Sequence, residues 1–200
     1  ECIPFDCEVS AIVCRSQSGE SVVYPIGEND HEASILIESR VPAAIKDGLK
    51  EKAGRLGREV AEVLNAVGTF CIELFVAGDQ LLVNEVAPRP HNSGHYTIEG
   101  TKTSQFENHI RAVSGLPLGA TDLLAPVAMR NILGTNPEGE TQVEGSYQAL
   151  TESGVSLHLY GKNKVYSGRK MGHLTAVAES VAGAQQKVKR AREQINITGI

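Results

Sequence analysis

Glu73, Asn84, Glu85, Arg89, His91, Asn92 and His95 fall in one short stretch that combines carboxylates, an amide, a guanidinium and imidazoles. Glu73 lies inside the apolar run 69–76 (TFCIELFV), where a carboxylate is costly to bury without a partner. Residues 81–95 (LLVNEVAPRPHNSGH) run from an apolar strand directly into the polar cluster. Between the runs, Gly78, Asp79 and Gln80 read as a three-residue hairpin loop. That loop pairs Ala77 with Leu81, and therefore Glu73 with Glu85. Facing carboxylates with Cβ atoms about 4.5–5.5 Å apart repel one another, and a divalent cation turns the repulsion into coordination. Oxygen donors, with Asn84 beside them, suit Mg²⁺ or its substitute Mn²⁺; Mg²⁺ retains waters and completes its shell with substrate phosphates. A solvent-facing Glu73 and a Glu85 that merely opens a loop would give the same letters, since antiparallel strands alternate polar and apolar residues. The cluster that follows Glu85 favours the nucleotide chemistry.

The elements that must position these groups are legible in outline. Residues 8–15 (EVSAIVCR) and 21–26 (SVVYPI) read as two strands joined through a polar turn with Gly19. From Ile45 onward, Leu49, Ala53, Leu56, Val60, Leu64 and Val67 recur at helical spacing, with Gly68 as the stop. The pattern is hairpin, helix, hairpin. A second helix over residues 104–114 opens on Ser104 with Glu107 three positions on, a capping box, and closes at Gly115 and Pro117. Beyond Pro126, short strands at 127–133, 156–160 and 174–178 alternate with glycine-rich connections. A last helix, 180–195, carries Val181, Ala184, Val188, Ala191 and Ile195 on one face. The fold class expected is α+β with antiparallel sheet: a larger unit over 1–119 and a small β-rich subdomain over 120–200.

Composition limits the function classes. The chain is 41% apolar and 22% charged, which is ordinary for a globular protein. Its net charge of −5, with scattered cations, argues against a general nucleic-acid or membrane surface. Cys2, Cys7, Cys14 and Cys71 have no zinc-site spacing and read as reduced thiols of a cytoplasmic protein. No GxGxxG or GxxxxGK[ST] loop occurs, so dinucleotide-fold and P-loop sites are disfavoured.

The segment NEVAPRPHNSGH, with ELF upstream and GRKMGHL at residues 168–174, closely resembles the N5-carboxyaminoimidazole ribonucleotide synthetases, ATP-grasp carboxylating enzymes of purine biosynthesis. The resemblance continues through residues 4–15, 24–36, 104–119 and 129–134, essentially the whole chain. The related formate-dependent transformylases follow their Pro-Arg-Pro-His with Asp-Thr-Gly, whereas here Asn92-Ser93-Gly94-His95 follows. The resemblance implies an ATP-grasp large lobe with a C-terminal subdomain, and ATP-driven carboxylation of aminoimidazole ribonucleotide by bicarbonate through carboxyphosphate. It implies a homodimer as well. Carried over by motif, Glu73 and Glu85 would hold Mg²⁺, Asn84 would assist, Glu8 would take the ribose hydroxyls and His31 would border the nucleotide. Glu1, Cys2 and Ile3 would end the strand that pairs with adenine. Arg89, His91, Asn92 and His95 would meet bicarbonate, carboxyphosphate or the imidazole, and Arg169 and Lys170 the ribonucleotide phosphate. Arg130 and Asn131 would approach the substrate and His173 would support the 169–170 loop, while His109 and His158 read as packing or surface residues.

The family also requires an N-terminal domain and a smaller lobe that carries phosphate-binding lysines; the sequence starts at Glu1, inside the adenine motif. These 200 residues alone are therefore expected to be inactive. Another ATP-grasp ligase, or a non-catalytic module of the same fold, remains open on sequence grounds.

Overall fold

The computed structural model describes residues 3–200. Its elements in chain order are β1 (Cys7–Arg15), β2 (Ser21–Val23), β3 (Gly27–Glu32), β4 (Ile35–Val41), α1 (Asp47–Val63), β5 (Gly68–Ala77), β6 (Gln80–Ala87), α2 (Thr97–Gly100), α3 (Gln105–Val113) and β7 (Val127–Leu133). They continue as β8 (Gly139–Glu144), α4 (Ser146–Leu150), β9 (Val155–Leu159), β10 (Lys164–Val165), β11 (Lys170–Val177), α5 (Val181–Gln194) and β12 (Asn196–Gly199). One antiparallel sheet runs β6-β5-β1-β3-β4-β7-β11-β9, with β2 beside β1; β10, β8 and β12 form a second sheet of three strands. The class is the expected α+β. The C-terminal strands do not all close on themselves, however: β4 pairs with β7, so β7, β11 and β9 extend the main sheet.

Strand alternation gives the sheet two unlike faces. On β1 and β5, Val9, Ala11, Val13, Phe70, Ile72, Leu74 and Val76 pack with Leu49, Ala53 and Ala61 of α1. Gly57 lets α1 approach closely, since a Cβ there would lie 2.8 Å from Val13 Cγ2. The alternate residues, among them Glu8, Ser10, Cys71 and Glu73, turn to the opposite face, which carries the candidate site. Farther along the sheet, α5 buries Ala184, Val188, Ala191 and its C-terminal neighbour Ile195 against Ala128, Ile132, Leu174 and Ala176. The Ser104 cap matches the sequence reading, its Oγ accepting from Glu107 N (3.1 Å), and Ser180 Oγ caps the last helix in the same way, accepting from Gly183 N (3.1 Å).

Three readings of the local sequence are corrected. The helical stripe ends at Val63, leaving Leu64 and Val67 exposed, because Asn65 takes a left-handed backbone (φ 46°) and turns the chain. The second strand stops at Val23, ahead of Pro25. An entire hairpin, β3–β4, lies where no strand was expected. Its two-residue turn, Ala33-Ser34, adopts φ of 48° and 62°, which Gly or Asn usually supplies. The strand leading into it is acidic and polar, so neither turn chemistry nor hydrophobic alternation marked it.

Candidate active site

Glu73 and Glu85 are cross-strand partners in β5 and β6. The route to that pairing differs from the expectation. The turn is two residues, Gly78-Asp79, and Ala77 pairs with Gln80, which would put Glu73 one position out of step. The register shift between Glu73 and Leu74 leaves Asn84 as the extra residue of a β-bulge and returns Glu85 to its place opposite Glu73. Glu73 is buried, Glu85 and Asn84 are exposed, so the pair spans the boundary between core and solvent.

Glu8, two strands from Glu85, completes a carboxylate group of three. It hydrogen-bonds Glu73 and is pushed up to about 7, by burial first and by the Glu73 charge second. Burial also raises Glu73, with the Glu85 charge next. His31 Nδ1 lies 3.4 Å from Glu8 Oε2. Glu8 and His31 line a cavity of about 470 Å³ together with Phe5, Cys7, Glu28 and Arg40. Arg40 forms ion pairs with Glu28 (2.6 Å) and with Asp30, which fixes one wall of that cavity. Ile3 is exposed ahead of β1; Glu1 and Cys2, read with it as an adenine contact, lie outside the described residues.

The loop after β6 carries the histidines. His91 caps a single 3-10 turn over Asn92–Gly94. Its Nδ1 lies 3.0 Å from Ser93 Oγ and its Nε2 3.6 Å from Glu73 Oε1. A buried amide, Gln105 at the start of α3, clamps the loop. Its Oε1 accepts from His91 N (3.0 Å), while Nε2 donates to His91 O (2.7 Å) and to His95 Nδ1 (3.0 Å). The last bond leaves the proton of the neutral His95 ring on Nε2. Gly94 is required by this clamp, since a Cβ there would sit 2.5 Å from Gln105 Oε1.

The loop is docked on a row of side chains contributed by the C-terminal strands. Asn131, His173 and His158 are register partners across β7, β11 and β9. Asn92 exchanges two hydrogen bonds with Asn131 (3.0 and 2.6 Å), and the His95 ring packs on His173 at 4.8 Å between centroids. His173 in turn stacks on His158 (4.5 Å, 15° between planes) and its Nδ1 meets Tyr160 OH at 3.0 Å. His158 pairs with Glu99 of α2 at 2.6 Å. Burial, the leading cause in each, lowers His91 and His95 to about 4 and His173 to about 2, so all three rings are neutral at pH 7.

Two expected contacts have partners within the chain. Asn92, expected as a substrate contact, has its amide oxygen and one N–H engaged by Asn131, a pair that anchors the loop. Arg169 and Lys170 were read as a pair, and they diverge. Arg169 donates to Lys164 O and lies over the Tyr166 ring (5.1 Å), away from the carboxylates. Lys170 is half-buried and lowered by burial, with Glu73 its strongest stabilising charge. Lys170 and the exposed Arg89 both act on Glu73. His109 is a packing residue, accepting from Thr69 N (3.1 Å), as expected. His158, expected to be bland, belongs to the histidine stack, and Gln105, Tyr160 and Glu99 escaped the sequence reading altogether. A glutamine at the first position of a capped helix carries no signal of a tertiary clamp.

The residues present fit a hard divalent ion. The donor set is oxygen from Glu73, Glu85 and Asn84, and the buried Glu8 Oε1 beside it has no hydrogen-bond partner. Among the described residues no helix is long and apolar enough to cross a membrane.

Comparison with known proteins gives a consistent picture. Residues 1–106 match the ATP-grasp domain, and residues 127–187 match the phosphoribosylaminoimidazole carboxylase C-terminal domain. The chain is 49% identical over 174 residues to the N5-carboxyaminoimidazole ribonucleotide synthase of Bacillus subtilis, covering 86% of this chain and 44% of that protein. The crystal structure of N5-carboxyaminoimidazole ribonucleotide synthetase from Thermotoga maritima superposes with a TM-score of 0.92 at 41% identity, covering 100% of this chain and 55% of that one. The Aspergillus clavatus synthase in complex with ADP and 5-aminoimidazole ribonucleotide gives 0.86 at 33% identity, covering 94% and 51%. The chain spans about half the length of the relatives it matches.

Proposed function

The chain belongs to the ATP-grasp family, and from that premise we propose that it forms part of a ligase that uses ATP to carboxylate 5-aminoimidazole ribonucleotide with bicarbonate. The observation that carries the reading is the single cluster of Glu8, Glu73, Glu85, His91 and Lys170 under a loop anchored on the carboxylase C-terminal domain. Solved relatives described as complexes with ADP, with ATP, and with ADP and the ribonucleotide support the substrate pair.

Glu73 and Glu85 would hold Mg²⁺ or Mn²⁺, with Asn84 assisting. The ion would supply charge neutralisation on the transferring phosphoryl group. A bicarbonate oxygen attacks the γ-phosphorus, ADP leaves, and the carboxyphosphate then yields its carboxyl carbon to the substrate amine as inorganic phosphate departs. Arg89 and Lys170 neutralise the anions, and Arg89 offers a planar fork to a carboxylate or phosphate. His91 and His95, neutral at pH 7, suit hydrogen bonding at bicarbonate and at the amine. Neutral rings also avoid trapping the anionic product by charge. Glu8 and His31 face the nucleotide cavity and suit the ribose hydroxyls. Arg169 is retained only as a peripheral phosphate contact. The adenine contact is proposed for Glu1, Cys2 and Ile3, and the chain division is kept near residues 119 and 120. A homodimer in the cytoplasm, with its thiols reduced, completes the reading.

The test compares phosphate release by the whole protein with bicarbonate and with formate, each with and without the ribonucleotide. Release that needs bicarbonate and the ribonucleotide supports the carboxylase. Release that needs formate assigns the fold to a transformylase, and failure to bind ATP at all assigns it to a non-catalytic module.

A further inference from the structure

We propose that Cys71, Glu73 and His91 form a second cation site, selective for a thiophilic divalent ion such as Zn²⁺, which shares Glu73 with the carboxylate pair. Cys71 and Glu73 are two apart on β5 and so project from the same face. The hairpin then returns the chain so that His91 closes over them, and one donor atom from each residue lies within 4.8 Å of the others. Thiolate, imidazole and carboxylate are the donors Zn²⁺ takes, whereas Mg²⁺ disfavours sulfur and nitrogen. No zinc motif announced this in the sequence, because the three ligands come from two separated segments.

The surroundings of the donors are those of a metal site. His91 is oriented through Nδ1 by Ser93 Oγ (3.0 Å), which leaves Nε2 aimed at Glu73. The same Ser93 hydroxyl lies 3.6 Å from Cys71 Sγ. In the metal-free loop Nδ1 accepts from Ser93 N–H (3.4 Å); coordination through Nε2 would move the ring proton to Nδ1, with Ser93 Oγ as its acceptor, so the same serine would contact both ligands. Coordination at Cys71 releases the thiol proton to solvent. A further polar atom points the same way: Glu8, hydrogen-bonded to Glu73, is 9% exposed and its Oε1 has no hydrogen-bond partner. The side chains of Glu73 and His91 keep 8% and 12% exposure, so an ion enters past them and meets the fully buried Cys71 last.

Occupancy of this site does not depend on the ligase reading; its consequence, displacement of the hard ion from Glu73, does. The test is titration of the whole protein with Co²⁺ as a spectroscopic stand-in for Zn²⁺. The expected result is a sulfur-to-cobalt charge-transfer band that saturates at one equivalent and is abolished in Cys71→Ser and Cys71→Ala, while persisting in Cys7→Ser. Absence of the band in the wild-type protein, or its survival in both Cys71 variants, overturns the proposal. Under the ligase reading, Zn²⁺ at fixed Mg²⁺ should inhibit the wild-type protein at concentrations at least about tenfold lower than the Cys71→Ser variant, each normalised to its own rate without Zn²⁺. Equal inhibition of the two would overturn the displacement.

Discussion

Replacing Gln105 by Leu removes a near-isosteric amide from a position that is 0% exposed. Three bonds of 2.7–3.0 Å disappear, and His91 N–H, His91 C=O and His95 Nδ1 lose their partner. An unsatisfied buried group costs about 1–3 kcal/mol. Both histidines are only partly buried as residues, so water and small loop shifts recover some of that, and about 2–4 kcal/mol is the expected loss. For a protein of this size each kcal/mol moves the melting temperature by about 2–4 °C, so calorimetry should find a decrease of roughly 5–15 °C. Because the clamp holds His91 beside Glu73 and His95 against His173, phosphate release by the whole protein should fall more steeply in kcat than KM rises. Gln105→Glu keeps the acceptor to His91 N–H but loses both donors, and should lie between Leu and wild type in stability. A Gln105→Leu variant that melts within about 2 °C of wild type with unaltered kcat would refute the clamp as the element that sets the loop.

The depressed imidazoles give a pH prediction. His91, His95 and His173 titrate at about 4, 4 and 2 when folded and near 6.5 when unfolded, so the unfolded state binds the extra protons and stability falls as pH drops below about 6.5. Glu8 and Glu73, raised by burial, act in the opposite sense above about pH 4.5 and only partly offset three rings. The steepest loss should come near pH 4.5, and His173→Phe should reduce the slope of unfolding free energy against pH by up to about 1.4 kcal/mol per pH unit in urea titrations; an unchanged slope would contradict the burial of a neutral ring. Lys170→Ala should lower kcat/KM by about 100-fold, the scale of a lost charge contact at a developing anion, whereas Arg169→Ala, whose guanidinium faces Lys164 and Tyr166, should stay within a few-fold. Gly57→Ala forces a Cβ to 2.8 Å from Val13 and should destabilise by about 1–3 kcal/mol in denaturant titrations without changing KM.

How much of this was legible in the sequence depended on whether the cause was local. Period-3.6 apolar spacing and the Ser104 cap are local signals, and both helices appear where those signals place them. A three-residue loop predicts the Glu73–Glu85 pairing, whereas the actual turn has two residues. The Asn84 bulge cancels the difference, and a bulge leaves no mark in residue types when the extra residue is polar and exposed. The β3–β4 hairpin was invisible because Ala33 and Ser34 hold turn angles that their types do not advertise. At the site, the acidic and histidine residues stood out by chemistry. What they touch did not: the Asn92–Asn131 anchor and the His95–His173–His158 stack join residues far apart in sequence, and only the sheet order brings β7, β11 and β9 beneath the 91–95 loop.

The central claim, that this site serves ATP-driven carboxylation, is tested most directly with ¹⁸O,¹³C-bicarbonate and the whole protein, beside its Glu85→Gln variant. Phosphate carrying one ¹⁸O, together with ¹³C in the carboxyamino product and loss of both in the variant, is the result predicted by attack of bicarbonate on the γ-phosphoryl group. Turnover that leaves phosphate unlabelled, or labelled product formed without ATP, would contradict the account.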